Sequence, residues 1–168
     1  MKIIIAGAGA VGTHLAKLLS REKQDIILID DNEERMSTLS SNFDLMTVNA
    51  SPTSIKGLKE VGAGEADLFI AVTPDESRNI TACMLATNLG AVKTVGRIDN
   101  YEYLLPKNKE FFQKLGVDSL IYPEMLAAKE IVSSIRMSWV RQWWEFCGGA
   151  LIPVSYTHLR AHETSQDL

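Results

Sequence analysis

The first thirty residues hold two features whose types and spacing could bind a phosphorylated ligand: Gly7-x-Gly9-x-x-Gly12, and Asp30 at the end of an apolar run. A helix that opens at a glycine turn presents unpaired N–H groups and partial positive charge, so a pyrophosphate is stabilised there. Gly7 is expected to permit the turn, Gly9 to let backbone approach phosphate, and Gly12 to let the helix lie close on the strand before it. Ala8, Ala10 and Val11 belong to the same expected cradle. Asp30 stands where a carboxylate accepts hydrogen bonds from an adenosine ribose. It also repels a 2′-phosphate, which favours NAD(H) or an adenine nucleotide over NADP(H). The competing reading is an Asp that only caps the next helix; Asp31 could share either role. Gly12 is followed by Thr13 and His14, not by Lys-Ser/Thr, so the phosphate loop of an ATPase is absent.

The surrounding pattern supplies the elements this chemistry needs. Lys2–Ala6 reads as a strand, and the helix after the turn places Val11, Leu15, Leu18 and Leu19 on one face. Strands follow at Ile26–Asp30, Leu45–Asn49, Asp67–Val72, Val92–Arg97 and Asp118–Ile121. Helices fall at Glu33–Ser41, capped by Asp31 or Asn32, at Thr53–Val61, stopped by Gly62 and Gly64, and at Asp75–Asn88, stopped by Gly90. Near-continuous apolar strands alternating with helices mean a parallel sheet covered on both faces. The predicted fold is α/β, a doubly wound parallel six-stranded Rossmann sheet of order 3-2-1-4-5-6 over residues 1–122. A long crossover helix should follow over 123–146, with Ala128, Ile131, Val132, Ile135, Trp139 and Trp143 in a stripe widened by Val140, Trp144 and Phe146. Either core packing or a subunit contact would use this surface; aromatic enrichment favours the contact. Pro153–Leu168 is polar and lacks a face of either period. It resembles a translated library-adaptor sequence and is expected to be foreign to the protein, the alternative being a natural disordered tail.

Other reactive residue types form no convincing centre. Tyr103-x-x-x-Lys107 imitates a dehydrogenase pair, but Pro106 interrupts the helical turn such a pair needs. His14 reads as a partly exposed helix residue. His158 and His162 have metal spacing without a third ligand. Cys83 reads as buried filler, and with Cys147 makes neither a disulfide framework nor a metal site, which fits a reducing cytoplasm. A net charge of −4 over 168 residues argues against nucleic acid as a partner. No apolar run approaches a membrane span. No catalytic arrangement emerges, so an enzyme is not expected.

With these residues in place, the chain resembles the KTN, or RCK-N, family of nucleotide-binding domains, found in TrkA-type regulators of bacterial potassium uptake. The likeness runs from Met1 to about Ile152. It rests on IIIAGAGAVG, ILID, FDLMTV, GLKEVGAGEADLFIAVTPDESRNITAC, TVGRIDNYEY and LIYPE. The resemblance implies that Gly7 to Gly12 hold the pyrophosphate and Asp30 the ribose. It also implies that the loop holding Ser51 lies beside the adenine, with Thr73 near the nucleotide. Thr73 has a rival reading as a capping residue before Pro74-Asp75. The family usually shows Gly and then Asp or Asn where this chain has Ala50 and Ser51. Arg97, at the carboxyl end of its strand, matches a phosphate-reaching arginine. Glu124 matches a Pro-Glu that in some members faces the nucleotide or an ion at a subunit interface. Residues 147–152 look like the start of a truncated RCK-C domain.

The expected function is therefore a regulatory subunit that binds NAD(H) or ATP/ADP and controls potassium transport. It would partner a TrkH- or TrkG-like membrane transporter subunit as a homodimer or higher ring, on the inner face of the plasma membrane. The alternatives are an NAD-dependent oxidoreductase, or an RCK subunit of a potassium channel or efflux antiporter.

Overall fold

Six short runs of branched apolar residues become strands, and each pairs in parallel with its neighbours. The computed structural model describes residues 1–22, 24–42 and 45–136, together with the strand pair 142–143 and 154–155. The chain divides into two compact units, Met1–Pro123 and Glu124–Leu168. In the first unit β1 (Lys2–Ala6), β2 (Asp25–Asp30), β3 (Met46–Asn49), β4 (Leu68–Ala71), β5 (Thr94–Arg97) and β6 (Ser119–Ile121) form one sheet, in the order β3-β2-β1-β4-β5-β6. The central strand registers Ile5 against Leu28 on one side and Ile70 on the other. Ile4, Ile5 and Ala6 are fully buried. Burial on both faces explains why these strands are apolar without alternation.

Successive strand residues point to opposite faces, and each face builds its own core. Ile3, Ile5, Ile26, Leu28, Ile70 and Val72 pack with Ala16 of α1 (Ala10–Leu19) and with Met36 and Leu39 of α2 (Glu33–Asn42). Ile4, Ala6, Ile27, Ile29, Phe69 and Ala71 pack under three other helices. These are α3 (Ile55–Glu60), α4 (Glu76–Leu89) and α5 (Pro106–Lys114), which contribute Leu58, Ala82, Cys83, Ala86 and Phe112. Helix ends follow local chemistry. Asn32 accepts from the Arg35 N–H, Ser54 from Gly57 and Asp75 from Ser77 and Arg78. Gly62 (φ +68°) and Gly90 (φ +123°) end α3 and α4 in the left-handed region that glycine tolerates.

The structure corrects several expectations. On α1 the buried residues are Gly12 and Ala16, while Val11 and Leu18 are exposed. The apolar stripe is wider than the sheet surface that covers it. Helix α3 begins two residues later than its apolar pattern suggests, because Ser54 caps it. Helix α5 has no counterpart among the expected elements: Pro106 starts it at the first helical position, where a missing N–H costs nothing. In the second unit α6 (Pro123–Arg136) is helical, but Gln142–Trp143 is a strand paired antiparallel with Val154–Ser155, not a continuation of helix to Phe146. Trp139, Val140, Trp144, Phe146, residues 147–152, His158 and His162 lie outside the described residues.

Cys83 is buried as expected, and burial pushes its thiol from 9.0 to about 12. The unfolded thiol ionises near pH 9 and the folded one does not. Between those values the unfolded state holds fewer protons, so stability falls as pH rises. Denaturant unfolding from pH 9 to 11 should show the wild type losing up to about 1.4 kcal/mol per pH unit more than Cys83→Ala. Equal slopes would contradict a protonated buried thiol.

Candidate functional site

Strand β1 ends at Ala6, and the chain reverses at once into α1. Gly7 donates its N–H to the Ile29 carbonyl (2.9 Å) and adopts φ +114°. A Cβ there would stand 2.9 Å from the Thr73 nitrogen, so the turn rests directly on the Val72–Thr73 backbone that follows β4. A Cβ at Gly12 would collide with the Gly7 carbonyl oxygen and touch Val72. Close packing at Gly12 is therefore as expected, with the turn's own carbonyl as the nearest neighbour. Gly9 differs: a Cβ would meet nothing within 4 Å. Gly9 is the N-cap of α1 and gives no side-chain bond to it, and the first turn holds no acidic residue. The positive end of α1 thus faces open space beside Ala8, Ala10 and Thr13.

Asp30 is buried at the end of β2. Its Oδ2 accepts the Ala8 N–H (2.6 Å) and its Oδ1 the Asn32 N–H (2.8 Å). The cap of α2 is Asn32, so the helix-capping reading of Asp30 fails. Its carboxylate instead ties β2 to the glycine turn. Each oxygen retains a lone pair for a further donor.

A second wall is built on the first turn of α4. Asn79 is completely buried, and its Oδ1 accepts from the Thr73 N–H (2.8 Å) and hydroxyl (2.7 Å). Its Nδ2 donates to the carbonyls of Thr73 and Arg97, each at 2.9 Å. The Thr73 hydroxyl is thus turned into the fold, and Asp75, not Thr73, caps α4. Glu76 accepts the N–H groups of Asp99 and Asn100 (2.9 and 3.0 Å). The Arg97 guanidinium pairs with Asp99 at 3.2 Å. Arg78 pairs with Asp31 and donates to Ser51 Oγ (3.2 Å), bridging the loops after β2 and β3. Asp31 is thereby committed to Arg78.

Gly7 to Gly12, Asp30, Thr73 and Arg97 therefore meet at the carboxyl edge of the sheet, where β1 and β4 diverge. Open α/β sheets bind ligands at this switch point. Ser51 lies at the same edge, after β3. Glu124 is in the first turn of α6, in the second unit. Sequence reasoning gave no role to Asn79, Glu76 or Arg78. The signal was the Asp75-Glu76-x-x-Asn79 spacing, which puts acceptor and amide on one helical turn beside two strand ends.

Beside α1 the sheet face carries an apolar groove, lined by Val11, Leu18, Ile70, Val72, Val95 and Ile121, with His14 and Arg97 at its margin. Tyr103 and Lys107 fall in separate elements, a short 3-10 turn and α5, so they form no catalytic pair. Among the described residues no group of acidic, His or Cys side chains could hold a metal. Nor is any described helix long and apolar enough to cross a membrane.

The TrkA-N domain family matches residues 3–123. The Trk system potassium uptake protein TrkA of Haemophilus influenzae is 38% identical over 177 residues, covering 96% of this chain and 39% of that protein. The chain thus spans about two fifths of that relative's length. Among solved structures, the TrkA-N domain of the Escherichia coli inner membrane protein ybaL aligns with a TM-score of 0.68 at 14% identity, covering 79% of this chain and 94% of that one. GsuK bound to ADP aligns at 0.63 and 25% identity (82% and 34% covered). The GsuK channel bound to NAD aligns at 0.60 and 18% identity (71% and 21%).

Proposed function

The chain belongs to the TrkA-N domain family, and from that premise we propose that it is the nucleotide-sensing part of a regulatory subunit for Trk-type potassium uptake. Its ligand is NAD(H) or ADP/ATP. Gly7 to Gly12 receive the phosphates at the open end of α1, and Asp30 receives the ribose. Ser51 borders the base, Arg97 reaches the distal phosphate, and Thr73 supports the glycine turn from behind. Glu124 serves a subunit interface. The observation that carries this reading is the uncapped, open N-terminus of α1 next to a buried carboxylate already fastened to the same turn.

The ligand is bound and not consumed. A nucleotide acts on the transporter through differential affinity for two subunit arrangements. The partner is a TrkH- or TrkG-like membrane potassium transporter subunit, met at the inner face of the plasma membrane. Equilibrium dialysis with NAD, NADH, ADP and ATP, followed by chromatography, tests the reading: ligand should be retained and recovered unchanged. Reduction of NAD in the presence of mixed alcohols or hydroxy acids would make the chain an oxidoreductase instead.

The subunit is a homodimer or a higher ring. Val11 and Leu18 stay exposed beside the apolar groove of the first unit, and Leu126, Ile131, Val132 and Ile135 are exposed on α6. Each unit thus carries exposed apolar side chains of its own, and large apolar patches on a surface mark contacts with partners. Sedimentation should give a mass at a multiple of 18.6 kDa, and Ile131→Asp with Ile135→Asp should reduce it to the monomer. A monomeric wild type at micromolar concentration would overturn this part.

A further inference from the structure

Two residues of one helical turn hold Arg97 from both ends. The amide of Asn79 uses all of its hydrogen-bonding capacity: two acceptor positions on Thr73 and two donors on the carbonyls of Thr73 and Arg97. No other side chain of this size offers two donors and two acceptors in one plane. Asp cannot donate, and Gln is a methylene too long. Asn79 therefore staples the carboxyl end of β4 to that of β5. Glu76 works on the far side of the same arginine. Its Oε2 fixes the backbone of Asp99 and Asn100, and the Asp99 carboxylate pairs with the Arg97 guanidinium. The glycine turn leans on Thr73, the residue that Asn79 holds. One turn of α4 thus links the turn expected to receive the first phosphate with the cation expected to receive the next.

We propose that Asn79 and Glu76 are positioning residues, which set the separation between the glycine turn and the Arg97 guanidinium and so favour ligands carrying more phosphate than a nucleoside. The proposal rests on the nucleotide reading above. A mis-aimed arginine forfeits a contact that depends on charge and direction, while the ribose contact at Asp30 is left alone. A general loosening of the fold would weaken both.

The test is the affinity of the 168-residue chain for ADP and for adenosine, measured by calorimetry or by NMR titration. The variants are Asn79→Ser, Glu76→Ala, Arg97→Ala and the two doubles with Arg97→Ala. Each of the first two should weaken ADP about tenfold, the scale of one charge-assisted hydrogen bond, and change adenosine less than about twofold. In the Arg97→Ala background neither should weaken ADP further. Equal losses for ADP and adenosine, or additive losses in the doubles, would overturn the proposal. Should Asn79→Ser fail to fold, Glu76→Ala decides the question alone, since Glu76 is only half-buried and lies outside the core. An unaltered chain that binds neither ligand refutes the nucleotide reading and the positioning with it. Normal ADP binding by Glu76→Ala and Asn79→Ser refutes the positioning only.

Discussion

Gly12→Ala should unfold the nucleotide site and destabilise the first unit by about 3 kcal/mol or more, the upper range for forcing a methyl into a filled space. The position allows no small adjustment. A Cβ there runs into the Gly7 carbonyl oxygen, which is backbone, and also meets the side chain of Val72, just past β4. Gly7 has little room to yield, because its N–H is bonded to the Ile29 carbonyl and the Thr73 backbone lies close on its other side. In a domain of this size the loss corresponds to a melting temperature lower by roughly 10 °C. The same methyl at Gly9 meets open space, so Gly9→Ala should leave the melting temperature within about 2 °C of wild type, since it touches nothing. The contrast between the two glycines is the informative part. Comparable losses at both would mean that the turn is not packed as described.

Asp30→Ala should weaken NAD and ADP about a hundredfold, because two charge-assisted hydrogen bonds to ribose hydroxyls are lost together. It should also cost some stability. The Ala8 N–H is buried and loses its acceptor, which is worth about 1–3 kcal/mol, whereas the Asn32 N–H can turn to water. A purely ligand-facing carboxylate would show the first effect and not the second. NADP should lose less than NAD, since removing the charge also removes repulsion of the 2′-phosphate. Affinity for NAD unchanged by the substitution would show that the ribose does not sit at β2.

Both predictions concern the part of the molecule that was most legible beforehand. The glycine spacing, the strand ahead of it and the Asp at the end of the next strand are local patterns, each with one mechanical meaning. Strands β1, β2 and β4 were legible for a related reason, since burial on both faces leaves an unbroken apolar run. Helix α5 escaped notice because Pro106 is a breaker inside a helix and a good first residue at its start, and only the structure distinguishes the two. The face of α1 departs from its pattern for a different reason. Helical period locates an apolar stripe, but it does not say how much of that stripe the same chain covers. Val11 and Leu18 belong to the stripe and remain outside the core.

The second wall of the site was the least legible. A buried Asn in a helix leaves no periodic trace, and the partners of Asn79 are 6 and 18 residues away in sequence. The Arg78 bridge spans 47 residues to Asp31 and 27 to Ser51. Such contacts are set by topology: the order β3-β2-β1-β4-β5-β6 brings these loops to one edge. The sequence pattern also suggested that one helix continues to Phe146, since tryptophans at helical spacing extend the period past Arg136. Trp143 pairs instead as a strand with Val154.

The central claim is that the open end of α1 and the carboxylate of Asp30 form one nucleotide site. Isothermal titration of the chain with ADP and, separately, with NAD tests it most directly. The account predicts saturable binding of each, one ligand per chain, with either ligand displacing the other. Failure of both to bind, or simultaneous binding of the two at separate places, would contradict it.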